Sequence, residues 1–482
     1  MFFNSNISIE ALFLVANPNK YLDSFIQYSI WSPYDIILIP SILFLILTFS
    51  VLFKRYKVTN GALEYTFYSK FIFLKLFFGF MMALIYVYIY GYGDSFAYWN
   101  DGCDIGRVLY QNPQYLFFIF KSDAHTLNNT IMGGTLHPIM NINENLFMAK
   151  LIGIFLPLAD YSYITGTIIV AFISSFGNWK LFQAFRLNYS ENRLLKPIFY
   201  FTLIIPSCLL WGSGLLKDTI TYSAIGWLTY VLMQLLIKNK IKISYILILI
   251  FCSVLLFNLK KYILFAFIPA FILFYIKSKL YNINKYLRKI LYFLVLMGIV
   301  FGLFIFKSQI NEMMGQFAID KIIETAGSLN YNLSNIEAGS SFSLGIPLST
   351  SPSGMVAIFP FAVVATLFRP FLWEVHNVVS LASALESLFF LVFTIYVIRK
   401  VTFRKFLSNI SNDGMVQFCL VYAIFFSYAV GFSTSNFGSL VRYKIPMMPF
   451  YLMGLFVIYY NEVIKKGKPS KLIEFINGKK SK

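Results

Sequence analysis

Apolar runs near the ~20 residues that carry a helix across a ~30 Å hydrocarbon core recur along most of the chain. They lie at 35–53, 71–92, 161–179, 195–211, 219–237, 243–258, 262–276, 290–306, 378–398, 415–432 and 444–460. This pattern predicts an all-α, polytopic transmembrane protein of about 11 spans. A twelfth apolar stretch, 354–372, contains Pro360, Pro370 and Arg369. The charges on either side of it place both its ends on one face, so it is expected to form a re-entrant or interfacial hairpin, which is tolerated at membrane depth only where it lines a cavity or is buried in protein.

Polar positions gather in two long connections, 93–146 and 307–377, and in a basic tail, 462–482. Within the first connection 105–120, and directly after it 146–158, are apolar but short and broken by Pro113 and Pro157. Both read as helices lying in the headgroup layer. No internal repeat and no separate soluble domain is visible, so residues 1–482 read as a single integral membrane domain.

Composition fits this pattern, with 58% hydrophobic and only 13% charged residues. The net charge of +19 raises nucleic acid as a partner, but the arrangement of the cations argues against it. They cluster at alternate connections: Lys54, Arg55 and Lys57, then 180–196, 238–242, 277–289, 399–405 and 465–482. That bias orients a membrane protein, here with the N-terminus outside and the C-terminus cytoplasmic. The basic residues are expected to meet membrane lipids, not nucleic acid. The start, Met1-Phe2-Phe3-Asn4, lacks the basic region of a cleaved signal peptide, so the first span is expected to be retained. Cys103, Cys208, Cys252 and Cys419 are scattered and show no disulfide framework, and His125, His137 and His376 match no metal-ligand spacing.

In so apolar a chain the clustered ionisable residues mark where chemistry is expected. The stretch Gly91–Asp104 sets Asp94, Asp101 and Asp104 at the mouth of a span, with Tyr98 and Arg107 nearby. Like charges this close raise one another's pKa, and a carboxylate beside a low-dielectric wall suits a general base. The alternative is a solvated acidic loop. A second turn carries Trp211, Gly212, Ser213 and Gly214 before Lys217 and Asp218 at the start of the next span. Backbone N–H groups ahead of a helix favour an anion there; the alternative is a snorkelling Lys with a capping Asp. In the third group, Arg369 and Glu374 offer either a phosphate fork or a structural ion pair. In the fourth, Asn436 precedes Arg442 and Lys444, which lie at the outer end of the last span against the charge bias, so phosphate contact is expected of them.

At these residues the chain resembles the GT-C superfamily of membrane glycosyltransferases, through the Gly93–Tyr98 acidic motif after an early span, the long first external loop and the late Arg442-Tyr443-Lys444 segment. It is also similar to bacterial O-antigen and exopolysaccharide polymerases. The resemblance implies a cell-envelope glycosyltransferase or repeat-unit polymerase of the bacterial cytoplasmic membrane. Its substrate would be a polyprenyl-phosphate-linked glycan, used on the external side, and other envelope-glycan assembly proteins are possible partners. By position Asp94 would be the base. Lys217, Arg369, Arg442 and Lys444 would hold the carrier phosphate. Asp101, Asp104, Asp218 and Glu374 would support them, with Tyr98, Arg107, Trp211 and Asn436 as substrate-loop positions. A divalent cation remains open as a cofactor. The alternative function is a flippase or transporter of lipid-linked oligosaccharide.

Overall fold

In the computed structural model the residues described are 28–91, 93–279, 352–375, 378–434 and 436–467, with isolated helical positions within 286–294 and at 472 and 476. Among them every regular element is a helix. Eight helices are long and apolar enough to cross a membrane: Asp35–Thr59, Leu63–Tyr90, Tyr163–Arg186, Lys217–Ile237, Lys261–Lys279, Ser380–Val401, Gly414–Phe432 and Phe437–Ile464. A membrane protein built of apolar helices is therefore what the chain forms. Two further apolar helices, Ile243–Leu259 and Ala357–Phe368, are shorter than these eight.

The run 195–211 divides into helices Leu195–Leu203 and Pro206–Leu210, because Pro206 has no N–H to continue the first. The segment 354–372 forms one helix, Pro352–Phe368, with Pro360 inside it, followed by a short turn of helix at Leu372–Glu374. The span expected at 290–306 and most of the 307–377 connection lie outside the described residues.

The described residues fall into two compact units. The first holds residues up to Ser175 together with Leu210–Thr219. Here α1 (Asp35–Thr59) packs on α2 (Tyr68–Ile85) through Phe53, Tyr65 and Tyr68. Only 11% of the apolar window of α1 is buried, and Ile36, Ile37, Phe44 and Leu45 are each more than 60% exposed. An apolar helix exposed in this way is suited to face lipid. Asp35, at its start, is buried and accepts hydrogen bonds from Ser32 N (2.8 Å), Ser162 Oγ (2.7 Å) and Thr165 Oγ1 (2.6 Å).

In the same unit α3 (Asp94–Gln111) lies against α4 (Asn143–Gly153), and glycines set their spacing. A Cβ at Gly106 would fall 2.7 Å from the Gly153 carbonyl oxygen, and one at Gly153 would fall 2.9 Å from that of Gly102. Small residues four apart let two helix backbones touch. The early α5 (Tyr163–Arg186) completes this unit.

The second unit holds Phe176–Leu209 and the residues from Ile220 onward. It contains the later half of α5, then α6 (Leu195–Leu203), most of α7 (Lys217–Leu232), α8 (Ile243–Leu259), α9 (Lys261–Lys279), α10 (Pro352–Phe368) and α11 (Val378–Val401). After these come α12 (Phe403–Asn412), α13 (Gly414–Ser433), α14 (Phe437–Tyr443) and α15 (Met448–Tyr459). Every residue of α15 is buried, so it is the centre of the unit. Phe450 on α15 meets Tyr422, Phe418 and Phe267 edge-on, at centroid distances of 4.8, 5.6 and 6.3 Å. Edge-to-face contacts of this kind add to area burial.

Candidate functional site

Helix α3 brings the acidic stretch together. At 100° per residue, Asp94, Tyr98 and Asp101 fall within about 60° of arc, whereas Asp104 and Arg107 rotate progressively off that face. Gly93 starts the helix with φ 123°, a conformation strained for other residues, and its missing side chain leaves room for the Tyr86 ring. That turn sets Asp94 where its Oδ1 accepts from Tyr86 OH (2.9 Å) and from the Ser95 N–H (3.0 Å). Asp94 itself remains partly exposed. Ser95 is buried beneath it, hydrogen-bonded to Tyr163 OH (2.8 Å) and donating to the Leu215 carbonyl (2.9 Å).

One turn along, buried Tyr98 donates to Asn145 Oδ1 (2.9 Å), and the same oxygen accepts from Lys217 Nζ (2.7 Å). Asn145 is held in place because its Nδ2 donates to the Ile139 carbonyl (2.8 Å). The Lys217 ammonium also stands 5.8 Å from the centre of the Tyr98 ring, within cation–π range. Lys217 is partly exposed, as is Asp94 one helical turn before Tyr98.

Asp101 is fully buried and accepts from the His137 N–H (2.9 Å) and Asn100 Nδ2 (3.3 Å). Burial pushes its carboxyl up to about 6, with the His137 and Asn100 hydrogen bonds opposing the rise. Asp104 is joined to Tyr28 OH and, at 3.4 Å, to Thr135 Oγ1. Arg107 lies over the rings of Tyr28 (4.4 Å) and Tyr161 (5.2 Å). Asp104 and Arg107 therefore serve a neighbouring cluster and do not join the Tyr98–Lys217 group. Gly102 lies inside the helix and serves close packing.

Trp211, Gly212, Ser213 and Gly214 are buried against α2. Buried Lys75 donates to the Gly212 carbonyl, and a Cβ at Gly214 would meet Met82 at 2.9 Å. Asp218 occupies the first turn of α7 and is buried.

The remaining cations lie in the second unit. Arg369 forms a two-pronged ion pair with Glu374, its Nε 3.0 and 3.1 Å from the two carboxylate oxygens, and its guanidinium stands 5.2 Å from the Phe437 ring centre. Lys444 is buried; its Nζ donates to Ser387 Oγ (3.0 Å) and to the Arg369 carbonyl (3.2 Å). Beside it, Glu386 is buried within α11, with Ser207 N (2.8 Å) and Oγ (2.5 Å) both donating to its carboxylate. Glu386 also forms part of the wall of a cavity of about 180 Å³, otherwise apolar, between α6, α11 and α15. Arg442 is partly exposed on α14, and Asn436 caps that helix by accepting from Gly438 N (2.7 Å) and Ser439 N (3.3 Å).

Sequence reasoning missed Asn145, Lys75 and Glu386. An asparagine in an amphipathic helix carries no signal of its own. Lys75 and Glu386 did leave one, as ionisable residues inside apolar runs. Among the described residues, no group of three or more His, Cys, Asp or Glu side chains is placed to hold a metal ion. Compared with models of known families, with curated proteins and with solved structures, the chain matches none.

Proposed function

We propose that this protein is a membrane-embedded glycosyltransferase or repeat-unit polymerase acting on a polyprenyl-phosphate-linked glycan at the external face of the bacterial cytoplasmic membrane. The observation that carries the reading is that partly exposed Asp94 lies one helical turn before Tyr98, whose hydroxyl shares the Asn145 amide oxygen with partly exposed Lys217, in a unit of membrane-length helices. In this reading Asp94 accepts the proton of an acceptor hydroxyl as its oxygen bonds to the anomeric carbon. The bond from that carbon to the carrier phosphate breaks, and the departing phosphate keeps the electron pair. Lys217 stabilises the charge gathering on that phosphate, the kind of preorganised electrostatic contact that dominates many transfer reactions. Arg369, Arg442 and Lys444 belong to the same proposal as carrier contacts; Arg369 and Arg442 are partly exposed and Lys444 is buried. The spans beyond the eight described helices, the re-entrant role of 354–372 and the N-out, C-in orientation are parts of the same reading, supported by the alternating basic clusters.

Replacing Asp94 by Asn keeps the shape and the hydrogen bond from Tyr86 but removes the base. Loss of the glycan product with normal protein abundance in the membrane supports the proposal; an unchanged product overturns the assignment of Asp94.

A second reading, a transporter of lipid-linked oligosaccharide, is favoured by Lys75 and Glu386, ionisable groups within membrane-length helices, where transporters hold coupling sites. It is the weaker of the two, because Lys75 is sealed against a backbone carbonyl and Glu386 is satisfied by Ser207.

A further inference from the structure

Helix α12 (Phe403–Asn412) joins two membrane-length helices, Ser380–Val401 and Gly414–Phe432, through single residues, Thr402 and Asp413. This ten-residue helix therefore follows the end of one membrane-length helix and precedes the start of the next. Its apolar residues, Phe403, Phe406, Leu407 and Ile410, fall at the spacing of one helix face.

One side of α12 is fixed to the second unit. Asn409 is buried; its Nδ2 donates to Glu462 Oε1 (3.2 Å), and its Oδ1 accepts from Asn461 Nδ2 (3.2 Å). Lys277, at the end of α9, donates to the Ser411 carbonyl. The ends of α9 and of the last membrane-length helix therefore converge on α12. The nearby acids are engaged locally: Asp413 caps α13 through Met415 N (2.9 Å) and Val416 N (3.1 Å), and Glu462 pairs with Lys466 (2.5 Å).

What remains outward is basic and apolar together. Arg399, Lys400, Arg404, Lys405 and Lys465 are exposed, and beside them Phe403 is 62% and Leu407 49% exposed. A water-facing surface has no use for two large apolar side chains among its cations, whereas an anionic bilayer satisfies both.

We propose that α12 and its surrounding cations form a docking surface for anionic phospholipid, with headgroup phosphates at Arg399, Lys400, Arg404 and Lys405 and acyl chains meeting Phe403 and Leu407. This is the geometry of an interfacial amphipathic helix. The inference is independent of the proposed catalytic role.

The test uses the full-length protein in detergent micelles, with bound lipid counted by native mass spectrometry as phosphatidylglycerol or phosphatidylcholine is added. The expected result is a preference for phosphatidylglycerol that weakens with salt and falls by up to about 600-fold when Arg399, Lys400, Arg404 and Lys405 are all replaced by Gln, since each cation near an anionic surface accounts for about fivefold. The double variant Arg404→Gln, Lys405→Gln disturbs the fold less and should lose part of the preference, whereas Arg404→Lys, Lys405→Arg should keep it. Equal binding of the two lipids, or a preference unchanged in both Gln variants, overturns the proposal. Displacement by inorganic phosphate beyond that by chloride at matched ionic strength also overturns it, in favour of a pocket for a soluble anion.

Discussion

Asp94 and Asp101 lie on one face of α3, yet their surroundings give them opposite characters. Asp94 is partly exposed at the helix N-terminus, where the macrodipole favours an anion, and it accepts from Tyr86. Asp101 is buried, and its carboxyl is pushed up to about 6 from an ordinary value of 3.8. A folded-state pKa above the unfolded one means that the folded protein holds the extra proton between those values. Stability contributed by Asp101 is therefore present below about pH 4 and lost as pH rises through about 6. The two-unit rise corresponds to about 3 kcal/mol. Thermal unfolding of Asp101→Asn in detergent should lack this loss between pH 4 and 6, while the parent shows it; parallel profiles would contradict the assignment.

Asn145 is the residue on which the cation depends, since one amide oxygen receives both Tyr98 OH and Lys217 Nζ. Asn145→Ala should lower the transfer rate about tenfold to a hundredfold, the cost of losing a hydrogen bond to a charged group. Asn145→Asp, which still accepts from both donors but loses the hydrogen bond to the Ile139 carbonyl, should recover part of that rate. Equal losses in the two variants would mean that Asn145 acts only on the fold. Tyr98 and Lys217 were legible in the sequence as site positions, but their shared acceptor was not, because it is an ordinary asparagine 47 and 72 residues from them.

At the scale of elements, the sequence announced helices by their apolar runs, and the helices at 35–59, 163–186, 217–237, 261–279, 378–401 and 414–433 lie where those runs predicted them. Two features escaped it. The acidic stretch could be read as a solvated loop, but its charges fall on a helix whose apolar positions Phe96, Trp99, Cys103 and Ile105 pack inward. The other is the use of glycine at helix crossings, where sequence cannot tell a turn from a close approach. In the second unit, a Cβ at Gly226 would fall 2.1 Å from the Gly177 carbonyl oxygen, and one at Gly177 would fall 2.1 Å from that of Ser223. No side-chain rotation relieves a clash with backbone, so α5 and α7 would have to separate. Gly226→Ala should destabilise the protein by about 3 kcal/mol. A lowered unfolding midpoint in detergent checks this, and an unchanged midpoint would contradict the tight crossing.

At the scale of the whole molecule, burial distinguishes the membrane-length helices from one another. α1 has 11% of its apolar window buried, whereas the last membrane-length helix has 89%. The candidate ionisable residues follow neither extreme alone. Asp94 and Lys217 are gathered in the first unit, and Arg369, Glu374, Glu386 and Lys444 in the second. The sequence grouped most of these by charge bias and chain position. It did not separate them by burial, because an apolar chain offers the same neighbours to a sealed lysine such as Lys75 as to a partly exposed one such as Lys217.

The central claim is that the protein transfers a glycan from its lipid carrier, with Asp94 as base. Its most direct test is to replace the native gene by the Asp94→Asn variant and to identify, leaflet by leaflet, the carrier-lipid species that accumulates. Transfer at the external face predicts carrier-linked units that have crossed the membrane and remain unpolymerised or untransferred outside. Accumulation of the same species on the cytoplasmic leaflet, or no accumulation at all, would contradict it.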